Sequence, residues 1–100
     1  MNEQLSVLNS NVRGLNDGAK RASVRAFIER TGSSIVCIQE TKLSTFCDAD
    51  RVEIAGPRYD GHAVLHAEGT RGGVLMMWKS DIFSSKTRGT RTTSALIADG

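Results

Sequence analysis

Glu40 and Lys42 close the apolar run that begins at Ser34, and they put a carboxylate and an ammonium where a strand should end. In open α/β sheets, ligands bind outside the carboxyl ends of buried strands, so this ending resembles the wall of a site. A second run, Leu5 to Asn16, also changes from apolar to polar, with Asn9, Asn11, Arg13 and Asn16 at its mouth. The Asn11 amide is able to donate to a phosphate oxygen or orient a neighbouring carboxylate without adding charge. The plainer alternative is a turn or cap residue. Glu40 and Lys42 share a face if the strand remains extended. Lys42 is then either a partner for site carboxylates or phosphate, or a lysine facing solvent.

The elements that would position these residues are legible as a crossover. Gln4 to Asn9 reads as a strand with Leu5 and Val7 on one face and Leu8 on the other. Asn16 and Asp17 are both suited to accept from the free donors of a first helical turn. Ala19 to Arg30 has helical spacing, with Val24, Phe27 and Ile28 inward and Lys20, Arg21, Arg25 and Arg30 mostly outside. A basic outer face of this kind is either a nucleic-acid contact or plain solvation, and solvation is the commoner case. Gly32 supplies the stop. Ser34 to Gln39 is apolar on both faces, as a central covered strand would be. Strand, helix and strand in this order form a parallel crossover, which brings both carboxyl ends to one edge.

Beyond Lys42 the pattern weakens. Leu43 to Ala55 reads as a loop with one short helical turn near Asp48 to Ile54, followed by the breaker pair Gly56-Pro57. Tyr59 to Leu65 and Gly73 to Trp78 read as strands joined by Ala67 to Gly72, a glycine-rich hairpin connection, and Thr92 to Ala98 as a further strand. Gly69 to Gly73 lacks the pattern of a nucleotide phosphate loop. His62 and His66 share a strand face but have no Cys, Asp or Glu at metal-site spacing, so zinc is not expected. Met76, Met77 and Trp78 read as sheet core.

The chain has 100 residues, 39% of them hydrophobic and 24% charged, with a net charge of +2. These values fit one small globular domain and exclude disordered or fibrous classes. So small a basic excess permits a nucleic-acid partner without requiring one. Cys37 reads as a core residue and Cys47 as a free thiol, which suits a reducing, intracellular setting. No apolar run approaches the about 18 residues of a membrane span, and no secretory leader is recognisable.

"LNSNVRGLND", a basic helix, "IVCIQETKLS" and then "RGGVLMMWKSDIF" resemble, in this order, the opening of the endonuclease/exonuclease/phosphatase superfamily. The likeness is greatest to the endonuclease domain at the front of plant LINE-type, non-LTR retrotransposon polyproteins. It implies a four-layer α/β sandwich of the endonuclease/exonuclease/phosphatase type. It also implies a Mg²⁺-dependent phosphodiesterase acting on DNA, in which Glu40 holds the metal, Asn11 arranges the site and Lys42 belongs to the catalytic group. Nuclear as well as other intracellular locations are compatible with that role. Two departures are visible. Ser10 stands where the family usually has an aromatic residue, and the family's later Asp-x-Asn and Asp-His motifs have no counterpart before Gly100. The chain is therefore expected to be the N-terminal half of such a domain, inactive alone. The alternative is a non-catalytic remnant with at most weak nucleic-acid binding; phosphatases and lipid phosphodiesterases are further possibilities within the superfamily.

Overall fold

In the computed structural model, residues 5–81 and 90–96 are described. The elements run β1 (Leu5–Asn11), α1 (Gly18–Thr31), β2 (Ile35–Gln39), α2 (Asp48–Ala55), β3 (Gly61–Leu65), β4 (Val74–Trp78) and β5 (Thr90–Leu96). One mixed sheet has the order β3-β4-β2-β1-β5. β1 lies between β2 and β5, parallel to both, while β4 is antiparallel to β2 and to β3. The expected α/β class is present. So is the parallel neighbourhood of β1 and β2, in the register Asn11 opposite Gln39.

Side-chain alternation divides the sheet into two faces. Leu8, Val36, Ile38, Leu75 and Met77 share one face and are at most 1% exposed; with Val24 and Ile28 of α1 and Ile54 of α2 they make the core. The opposite face carries Ile35, Cys37, Met76 and Trp78, of which Met76 is 39% exposed. β2 is thus central, as expected, but helices of the described residues cover only its Val36 and Ile38 side. Met77 fulfils the core reading of the Met-Met-Trp run, and Met76 and Trp78 do not. The Trp78 indole instead lies across its cross-strand partner Gly61, where a Cβ would stand 2.1 Å from its Nε1.

Local signals explain the helix ends. Asp17, not Asn16, caps α1, accepting from the Lys20 N–H at 3.3 Å. Gly32 closes it in the left-handed region at φ 61°, donating its N–H to the Ile28 carbonyl. The segment read as a loop with one turn contains the eight-residue helix α2. Its start is fixed by Asp50, whose Oδ2 accepts from the Cys47 backbone N–H at 3.0 Å and from the Cys47 Sγ. Cys47 is therefore a helix cap residue as well as an exposed thiol.

The basic face of α1 departs from the sequence reading. Lys20 is 8% exposed. Arg21 donates to the Leu15 carbonyl at 2.6 Å, to Asp50 at 2.8 Å and to Glu53 at 2.9 Å. Arg25 donates to the Val52 carbonyl at 3.0 Å and pairs with Glu29 at 2.7 Å. These guanidinium groups dock α2 onto α1 and are not a free basic surface; periodicity places them outside because it ignores the second helix. The expected strand Thr92 to Ala98 is met by β5, except that Ile97 and Ala98 lie outside the described residues. Tyr59 precedes β3 and is a buried core residue, its hydroxyl donating to the Ser33 carbonyl at 2.5 Å.

Candidate functional site

The parallel pairing of β1 and β2 brings their carboxyl ends side by side, and the chain continues the pairing past the strands. Val12 N–H donates to the Gln39 carbonyl at 3.1 Å, Gly14 to Glu40 at 2.7 Å and Leu15 to Thr41 at 2.7 Å. On the far side the hairpin reaches in, with Thr41 N–H donating to the Gly73 carbonyl at 3.3 Å and Lys42 N–H to Gly72 at 2.7 Å. The peptides around Glu40 are held from both flanks. This accounts for an unusual backbone: Arg13, Glu40 and Lys42, at φ 56°, 57° and 61°, are all left-handed without being glycine. Such residues cost roughly 1–3 kcal/mol each and persist where their surroundings over-determine them.

Asn11 and Glu40 meet. Asn11 Nδ2 donates to Glu40 Oε2 at 2.5 Å, and Asn11 Oδ1 accepts from the Arg13 N–H at 3.2 Å. The backbone donor on one side and the carboxylate on the other define which way the amide points. Glu40 is exposed, and among the described residues its second oxygen, Oε1, has no hydrogen-bond partner. One row further in, Gln39 Nε2 donates to Asn9 Oδ1 at 2.9 Å. Asn16 Nδ2 donates to the Lys42 carbonyl at 2.9 Å and ties the two loops together. Of the residues at the first strand's mouth, Asn9, Asn11 and Asn16 are thus engaged with the second.

For Lys42 the condition of continued extension is not met. Extension ends at Gln39 and both Glu40 and Lys42 turn left-handed, so two-residue alternation does not place them on one face. Lys42 is exposed, and its side-chain stem passes Gly14, where a Cβ would lie 3.6 Å from Lys42 Cγ. The sequence offered no sign of this turn, since glycine is the usual left-handed residue and none stands between Gln39 and Lys42.

Two other features were missed. Gly72 lies directly against Glu40, although the glycine pair was read as hairpin chemistry and as part of the family likeness, not as part of the site. Ser10, read as a departure beside Asn11, faces the core at 2% exposure, and its hydroxyl has no hydrogen-bond partner among the described residues.

A single carboxylate with one free oxygen fits a hard cation that keeps most of its waters, since Mg²⁺ commonly takes one or two protein carboxylates. Among the described residues no group of three His, Cys, Asp or Glu side chains could hold a metal. The His62 ring packs tilted against Phe46, with centroids 5.1 Å apart and planes at 59°. Among the described residues no helix is long and apolar enough to cross a membrane.

The model of the endonuclease/exonuclease/phosphatase family matches residues 8–98. A similar solved structure is the AP endonuclease LMAP from Leishmania major, 26% identical, with a TM-score of 0.48 over 72% of this chain. The chain spans 23% of that enzyme's length. No curated protein matches.

Proposed function

We propose, from the premise that the chain belongs to the endonuclease/exonuclease/phosphatase family, that it is the N-terminal part of a Mg²⁺-dependent phosphodiesterase domain that nicks DNA. The observation that carries this reading is the Asn11–Glu40 contact at the adjoining ends of two parallel strands. Glu40 would hold the metal through its carboxylate, with Asn11 fixing the direction of that carboxylate. When bound, Mg²⁺ neutralises charge developing on a phosphate oxygen. Asn11, exposed in part, has its amide at the same mouth to meet a phosphate oxygen. Lys42, exposed beside Gly14, is a long cation at the same mouth suited to phosphate.

The likeness of "NVRGLND" to retroelement sequences favours a retrotransposon endonuclease over phosphatases and lipid phosphodiesterases. Attack on a phosphodiester also needs a positioned base, and groups acting as a catalytic unit leave only a small residual rate when some are missing. In the family that base depends on an aspartate and a histidine of later motifs. The 100-residue chain is accordingly proposed to be inactive alone.

A plasmid-nicking assay tests both halves of the reading. The isolated chain should leave supercoiled DNA intact with Mg²⁺, while the same chain joined to the later family motifs should nick it and lose the activity in EDTA. Glu40→Gln in the joined protein should lower the rate on the order of 10²-fold with the fold retained. Near-normal nicking by the folded variant removes Glu40 from the chemistry; no nicking by the joined parent favours the non-catalytic remnant.

A further inference from the structure

We propose that Gly72 is a positioning residue for Glu40: its missing side chain is the space in which the Glu40 stem lies. The inference rests on the reading of Glu40 as the metal-holding carboxylate. A Cβ at Gly72 would stand 3.3 Å from Glu40 Cα, 3.3 Å from Cγ and 3.6 Å from Cβ. Carbon atoms settle at about 3.5–4.0 Å, so a methyl there presses on the stem along its length.

The backbone has little freedom to yield. The Glu40 carbonyl accepts from Gly14 at 2.7 Å on one flank, and the next peptides are bonded to Leu15 on that side and to Gly73 on the other. The contact with Cα falls on this held backbone, and the contact with Cγ falls on the part that is free, the exposed side chain beyond Cβ. That part ends in the carboxylate oxygen bonded to Asn11 at 2.5 Å. A methyl at Gly72 therefore shifts the carboxylate relative to the amide that orients it.

The two adjacent glycines have different duties. Gly73 adopts φ +88° and a Cβ there would be 2.7 Å from Thr41 Oγ1 and 3.2 Å from the Ala67 nitrogen, so the fold itself excludes a side chain. Gly72 lies outside the left-handed region, so its φ does not itself call for glycine. Only its closeness to Glu40 calls for glycine. Sequence inspection sees a glycine pair; the geometry assigns one to the hairpin and the other to the site.

The test is Gly72→Ala in the 100-residue chain, followed by thermal unfolding, by the NMR resonances of the Asn11 side-chain amide, and by line broadening with Mn²⁺ as the probe. The variant should melt within about 4 °C of the parent. Its Asn11 amide resonances should move, and its Mn²⁺ affinity should fall about 10- to 100-fold, the usual effect of disturbing the support of a metal ligand. Unchanged amide resonances and unchanged affinity in the folded variant would overturn the proposal. If Gly72→Ala fails to fold, adding Glu40→Ala removes the Cγ it presses on: recovery of the fold supports the contact, and continued failure overturns it. A parent chain that shows no Mn²⁺ broadening at Glu40, while Gly72→Ala still moves the Asn11 amide, leaves the positioning role standing and removes the metal-holding reading.

Discussion

Asn11 and Glu40 are joined by a single hydrogen bond of 2.5 Å across two strand ends that lie 29 residues apart in the chain. The amide has its own direction fixed by the Arg13 N–H, so the carboxylate meets a donor that has no alternative orientation of equal value. That makes Asn11 an orienting group in the uncharged state. Replacing it by aspartate tests the point, because two carboxylates would then share the contact and could not both ionise freely. In Asn11→Asp the two carboxylates repel and the contact should open, moving the backbone amide resonances of Arg13 and Glu40. Unchanged resonances would show that the side chains are not in contact.

Arg21 links the loop after β1 to α2 through Leu15, Asp50 and Glu53, and its side chain is 12% exposed. Three partners in different directions call for the planar fork of arginine, which lysine does not reproduce. Arg21→Lys should lose most of what Arg21→Ala loses, about 1–3 kcal/mol by urea unfolding. A lysine variant as stable as the parent would reduce the network to simple charge pairing.

The same contact gives the fold an acid sensitivity. The hydrogen bond from Arg21, reinforced by the Cys47 N–H, holds the Asp50 carboxyl below its ordinary value of 3.8. A depressed folded value means the stabilisation is complete above the unfolded value and is lost as pH falls through the folded one. Stability should therefore decline as pH drops from about 5 towards 3, and Asp50→Asn should flatten part of that decline. Denaturant midpoints across this range provide the measurement; an identical slope in Asp50→Asn would contradict the assignment.

Much of this architecture was legible because its signals are local. The apolar-to-polar change at Asn11 and Glu40, the helical spacing of Val24 and Ile28, and Gly32 as a stop each depend on neighbours within a turn or a strand. What escaped was set by tertiary partners. Arg21 and Arg25 looked like an outer face because α2, 25 or more residues away, supplies the groups they bind. Lys42 looked co-facial with Glu40 because nothing in Gln-Glu-Thr-Lys announces two left-handed residues; the flanking peptides of Gly14 and Gly72 impose them. The neighbours of β1 were half visible, since the crossover predicted β2 but no local pattern indicated that β5 would pair on its other side.

Ser10 is a place where sequence and fold disagree. Its hydroxyl is buried without a partner among the described residues, and an unsatisfied polar group carries its full desolvation cost. Ser10→Ala should be neutral or gain about 1 kcal/mol in urea unfolding. A clear loss would show that the hydroxyl is bonded in solution.

The central claim, that Glu40 is the carboxylate that takes the metal at the Asn11 contact, is most directly tested by titrating the chain with Mg²⁺ and following backbone and side-chain amide resonances. The predicted result is a saturable change confined to Asn11, Gly14, Glu40, Thr41 and Gly72, abolished in a Glu40→Gln variant that keeps the parent's melting curve. A response that survives in Glu40→Gln, or one centred on Asp50 or Asp60 with Glu40 unmoved, would contradict it.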